Sequence, residues 1–206
     1  MADSPQELDR SVIHIIVAEL RQDLSLADLE SLQTSARALR HAPAVHDVSI
    51  GTSATHFIVS AELQLSESLE EFSDSANHME FVVHSLGKHI IGMWSVDFQF
   101  DEEFPTSNKD FPQAESLTVV AVKGETRLFE WQITQWFEEL RMAIPGAIIA
   151  SGHTIEERDL HRACVLIFLP KKTLEARQIL SEIIDNLGIP SDSLELATVS
   201  LSQSAS

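Results

Sequence analysis

Apolar and polar positions fall into two alternating kinds of segment along this chain. Val12–Leu20 is a nearly unbroken β-branched and apolar run, the pattern of a strand covered on both faces. Leu29, Leu32, Ala36 and Leu39 then recur at helical spacing behind Ser25, a suitable N-cap, and Pro43 ends the helix. Val45–Ile50 and His56–Leu65 flank Gly51 as a hairpin. Ser66 or Ser68 opens a second helix expected to run to about Lys88, and Gly92–Phe100 is the closing strand. Past residue 115 the order recurs: strand Leu117–Lys123, helix Arg127–Met142, strands Ala147–Gly152 and His161–Leu169, helix Thr173–Leu187, strand Leu194–Leu201.

The recurrence is also one of residues. Ser11–Val17 aligns with Ser116–Val122, and His56, Leu69 and Glu70 with His161, Leu174 and Glu175, all at an offset of 105. Near Pro43 and Pro145 the offset drops to 102, then recovers through the longer loop Thr154–Leu160. Three regions follow: a first repeat at 10–100, an acidic, proline-bearing linker at 101–115 and a second, degenerate repeat at 116–203. Each repeat reads β-α-β-β-α-β, a ferredoxin-like unit whose sheet carries helices on one face and leaves the other apolar. Two such units in one chain can cover each other. The fold class is therefore α+β: two ferredoxin-like repeats closing an intramolecular dimeric α+β barrel, with no second chain needed and a monomer expected.

Composition narrows the function classes. Among 206 residues there are 14 basic and 32 acidic ones, a formal charge of −18. This charge disfavours nucleic acid, which is held by Lys and Arg on phosphates, and anionic membranes. No apolar run reaches the roughly 20 residues of a spanning helix. The polar start Met1–Glu7 does not read as a secretory signal, and Cys164 is a lone cysteine in an apolar strand. A cytoplasmic protein is expected. Glycine-rich phosphate loops and the Gly-x-Ser-x-Gly elbow are absent. His41 with His46, and His153 with His161, lack metal-ligand spacing, so neither metal nor cofactor is expected.

The first repeat resembles the stress-responsive dimeric α/β-barrel (Dabb) family. The resemblance lies in Val12–Val17, in the helix end before Pro43, in Val48-Ser-Ile-Gly51 and in Leu69-Glu-Glu-Phe72. It continues in Ser75-Ala-Asn-His78-Met-Glu-Phe81 and Met93-Trp-Ser-Val-Asp-Phe98, covering about 90 residues. Known members are small homodimers that include plant polyketide cyclases, a fern hydroxynitrile lyase and stress proteins of unclear chemistry. The resemblance implies a pocket between sheet and helices in which His14 and His78, the family's acid/base positions, would meet. Phe72, Phe81, Trp94 and Asp97 are its expected lining. Haem proteins share this fold, and His78 or His161 could be nominated as axial ligand, but no haem motif is present.

An imidazole holds or releases a proton near neutral pH, so two of them in an apolar pocket suit proton abstraction beside a carbonyl. The bland alternative for His14, between two isoleucines, is a buried ring with a backbone partner; for His78 it is helix packing. Against catalysis, the chain has no tyrosine, and Phe72 stands where the family's usual pattern has one. Two readings follow: a Dabb-type, stress-response-like protein that binds a small hydrophobic or aromatic molecule in the first repeat, or a cofactor-independent cyclase or lyase using the His pair. At the offset of 105, His14 falls on Val119 and His78 on Ile183, so any polar site is expected in the first half. Phe129, Trp131, Trp136 and Phe137 are expected to fill the corresponding space of the second.

Overall fold

The structure is a computed structural model. It describes residues 11–64, 68–100, 114–123, 130–144, 147–154, 161–170 and 194–201, with the helical residues Gln178, Ile179, Glu182, Ile183 and Asn186. The first half comprises strand β1 (Val12–Leu20), helix α1 (Leu26–Arg37), strands β2 (Val45–Thr52) and β3 (His56–Leu63), short helices α2 (Ser68–Ser73) and α3 (Ala76–Met79), and strand β4 (Ile90–Phe100). The second comprises β5 (Ala114–Lys123), α4 (Glu130–Ala143), β6 (Ile148–Thr154), β7 (His161–Pro170) and β8 (Leu194–Leu201). The expected linker falls on 101–113, outside the described residues, and its last two positions already belong to β5.

All eight strands close into one barrel in the order β1-β3-β2-β8-β5-β7-β6-β4. This is the α+β fold of two ferredoxin-like halves whose sheets cover each other. Strand parity assigns the buried apolar side chains of β1 to one of two cores. Ile13, Ile15 and Val17 point into the barrel, where they pack with Val96, Phe98, Leu117, Val119, Leu166, Phe168 and Val199. Val12, Ile16, Ala18 and Leu20 point outward beneath the helices, with Leu32, Phe57, Phe72 and Phe81. A strand buried on both faces has no polar side to show, which explains the continuous apolar run.

Ser25 caps α1 as a full capping box, its hydroxyl accepting from the Asp28 N–H while the Asp28 carboxylate accepts from the Ser25 N–H. The second helix departs from the expected single span. It stops at Ser73, restarts behind the N-cap Ser75, widens into a π turn over Glu80–Ser85 and tightens into a 3-10 turn over Leu86–Lys88. Serines at 73 and 75 compete with the helix for backbone hydrogen bonds, which apolar periodicity alone does not register. No helix among the described residues is long and apolar enough to cross a membrane.

The halves meet at two short seams. Gly51 pairs with Leu201 and Thr52 with Ser200 at one; Phe98, Gln99 and Phe100 pair with Thr154, His153 and Gly152 at the other. Gly51 and Gly152 are thus equivalent under the pseudo-twofold, as are Leu201 and Phe100. Counting back along β4 and β8 makes Thr198 the counterpart of Asp97. Thr198 pairs with Thr118, as Asp97 pairs with His14. The counterpart of His14 is therefore Thr118, not Val119, which packs inside the barrel. One residue of register reverses the face, so an offset read from sequence anchors misassigned it.

A methyl group at Gly152 would overlap the carbonyl of Gln99, and one at Gly51 would overlap the side chain of Val199. Gly152→Ala is expected to destabilise the barrel by at least about 2 kcal/mol, since backbone must move. Gly51→Ala is expected to cost less, because a side chain rather than backbone obstructs it. Urea denaturation of the two variants measures both.

Candidate functional site

Four of the sequence-predicted residues meet on the helix side of the first half. His14 is carried outward by the parity of β1 and is 7% exposed. Its ladder neighbour on β4 is Asp97, and the two side chains join at 2.6 Å between Nδ1 and Oδ1. A carboxylate only accepts, so Nδ1 carries the hydrogen and Nε2 is left bare.

His78 reaches the same place from the restarted helix. Its backbone N–H donates to the Ser75 hydroxyl at 3.2 Å, and its Nδ1 donates to the Ser73 carbonyl at 3.0 Å. The break in the helix therefore has a second effect: it leaves a free carbonyl that fixes the His78 tautomer, with Nε2 as the acceptor. The two imidazoles lie 5.4 Å apart between ring centres, and Phe72 closes the triangle at 5.4 Å from His14 and 4.8 Å from His78. Both Nε2 atoms are buried and have no hydrogen-bond partner.

Burial holds the His78 pKa below its ordinary value, and the positive charge available to His14 pushes it the same way; the Ser73 carbonyl and Asp97 oppose them. His78 is thus poised as a neutral base, while His14 is held in one tautomer by a carboxylate. A neutral imidazole is what proton abstraction requires.

One expected lining residue lies elsewhere. Trp94 is the ladder partner of Val17 and packs with the barrel-interior core, so the sheet separates it from His14. Phe81 is buried beneath the helices in the same core as Phe72, 6.5 Å from Phe57 between ring centres. Strand parity decides the direction of Trp94. Ser73 and Ser75 were missed as site residues, although a serine three positions before a histidine is a visible capping signal.

In the second half the equivalent of the His14–Asp97 pair is Thr118 and Thr198, joined at 2.9 Å between hydroxyls. Trp136 is buried with Leu140 against Val120 and Val122. Phe129 lies outside the described residues, and of Trp131 and Phe137 only the helical backbone is described. No titratable pair stands at the counterpart position.

No family model matches this sequence, and no curated protein matches it. Solved structures do match. An anthrone oxidase-like protein superposes with a TM-score of 0.61 at 8% identity, covering 95% of this chain and 93% of its own. A candidate chlorite dismutase gives 0.60 at 12%, covering 93% and 95%. A candidate monooxygenase from Fusobacterium nucleatum subsp. nucleatum gives 0.55 at 11%, covering 94% and 92%. At such identities the likeness is one of fold: ferredoxin-like α+β barrels over nearly the whole chain.

The direction of the His78 pKa sets a pH dependence. Because the folded value lies below the unfolded one, His78 contributes stability that is present above about pH 6.5 and is lost as pH falls through the folded value. NMR titration is expected to place the His78 midpoint below the ordinary histidine value of about 6.5. In Asp97→Asn the midpoint is expected to fall further, since a charge that favours the imidazolium is gone.

Proposed function

We propose that this protein is a Dabb-type barrel that binds a small hydrophobic carbonyl compound between the sheet and helices of its first half and moves a proton on it. Its class would be that of a cofactor-independent lyase or cyclase. The observation that carries this reading is the convergence of two buried, unpartnered Nε2 atoms on rings whose tautomers are fixed from behind by Asp97 and Ser73. Leaving such acceptors unmade costs stability, about 1–3 kcal/mol each, and a substrate hydroxyl would relieve it.

In this scheme His78 removes the proton α to the carbonyl. In its protonated form His14, held at Nδ1 by Asp97, would donate an Nε2 hydrogen bond to the developing enolate oxygen, the role a tyrosine would otherwise fill. Phe72 supplies an apolar wall that keeps water from the pair. A second reading, a binding module without turnover and with a stress-associated role, is favoured by that same Phe72, which donates nothing.

Deuterium exchange separates the two. A small aromatic methyl ketone incubated with the protein in heavy water is expected to exchange its α-hydrogens by NMR. His78→Gln is expected to slow the exchange by roughly 10²–10⁴-fold, the range for losing a general base. Ligand-induced shifts of the His14 and His78 resonances with no exchange above background would leave the binding module standing. We further propose that the chain is a monomer, because each sheet already covers the other. Sedimentation is expected to give one chain's mass, and twice that mass at micromolar concentration would refute it.

A further inference from the structure

Two donors compete for the Ser73 carbonyl, and only one of them serves the site. In an uninterrupted α-helix this carbonyl would accept from the N–H four residues on, that of Asn77. It accepts instead from the His78 Nδ1, at 3.0 Å. The difference lies in Ser75, whose ψ of 146° is extended rather than helical and turns the chain out of α2 before α3 begins.

Apolar packing does not dictate that break. Asp74 and Ala76 are exposed, Ser73, Ser75 and Asn77 are half-buried, and Met79 is 49% exposed. The buried side chains Phe72 and Phe81 stand on either side of the segment, and none lies within it. Local hydrogen bonds are left to decide. The Ser75 hydroxyl accepts from the His78 N–H at 3.2 Å, and the Ser75 N–H donates to the Phe72 carbonyl at 3.0 Å. The Met79 N–H donates to the Ser75 carbonyl at 3.0 Å, which starts α3. The Asn77 side chain then ties α3 to the Ala38 carbonyl, just past the end of α1, at 3.3 Å. An alanine at 75, the best helix former, would offer no hydroxyl to oppose a continuous helix.

We propose that Ser75 is a positioning residue for His78: by capping α3, its hydroxyl keeps the Ser73 carbonyl free for Nδ1 and the Nε2 lone pair free for a substrate proton. Once a continuous helix takes up the carbonyl, the imidazole loses its acceptor and the Nε2–H form that prevails in water returns. A ring that already carries hydrogen at Nε2 cannot take a proton there. Ser75 thus owes its chemical part to the proton-transfer reading, while the tautomer it sets needs no substrate.

The test is the tautomer, read by proton–nitrogen NMR of the imidazole rings in the full chain at a pH above the His78 midpoint. Nδ1–H is expected in the parent and in Ser75→Thr, which keeps the hydroxyl, and mainly Nε2–H in Ser75→Ala. The His78 midpoint is expected to fall in Ser75→Ala, because the Ser73 hydrogen bond that favours the imidazolium is lost. Ser75→Asp caps as well as serine and adds a negative charge, so it is expected to keep Nδ1–H and to raise the midpoint. Ser25→Ala, which removes the cap of α1, is expected to lower the melting temperature without changing the His78 tautomer. Exchange of the ketone's α-hydrogens is expected to slow about tenfold or more in Ser75→Ala and to persist in Ser75→Thr. Nδ1–H retained in Ser75→Ala, or Nε2–H in Ser75→Thr, Ser75→Asp or Ser25→Ala, would overturn the proposal. A parent with Nδ1–H that exchanges nothing would instead overturn the proton-transfer reading and, with it, the part of Ser75 in catalysis.

Discussion

A four-stranded sheet with helices on one side only has an apolar face that water cannot be left to cover, and everything in this molecule follows from how that face is buried. The second half of the chain covers it. The interior then becomes a shared core in which Ile13, Ile15 and Val17 pack with Leu117, Val119 and Val199 from the other half. An eight-stranded barrel is just wide enough for side chains to fill it. The interior is therefore mostly occupied, and the layer between sheet and helices is the natural place for a site. His14 lies there because of one parity choice: even positions of β1 face the helices.

That constraint also explains which parts of the fold were legible in the sequence. Val12–Leu20 could be read as doubly buried because no polar face interrupts it, and the barrel followed from finding the strand order twice. The strand-face assignment of individual residues was less accessible. Trp94 and Asp97 are three apart on β4, so they point to opposite sides, and only the ladder to Val17 and His14 says which is which. Likewise His14 was matched to Val119, when seam pairing matches it to Thr118. A repeat offset carries no information about parity once short gaps are allowed; backbone pairing at Gly51 and Gly152 does.

The candidate site shows a similar division. His14, His78, Phe72 and Asp97 were nominated through a family resemblance and come together in the structure. The group that fixes the His78 tautomer could not be nominated, because it is a backbone carbonyl released by a helix break. Such breaks arise from short hydroxylated side chains competing for N–H groups, a local contest that helical periodicity averages away. The π turn after His78 has the same character, and single π turns within helices recur at functional sites.

The two halves finally differ in what they ask of the same position. Thr118 and Thr198 satisfy one another as hydroxyls, without charge and at little desolvation cost. His14 and Asp97 occupy the equivalent rung with a carboxylate, whose burial is expensive unless it is paired. A neutral hydroxyl pair would hold the sheet as well, as the second half demonstrates in the same chain. The costlier pair therefore does not follow from the needs of the barrel. It fixes the tautomer of an imidazole whose ring centre lies 5.4 Å from that of a second imidazole. The polar rung is a neutral hydroxyl pair in one half and an imidazole with a carboxylate in the other, and the repeat supplies its own control for what the barrel alone requires.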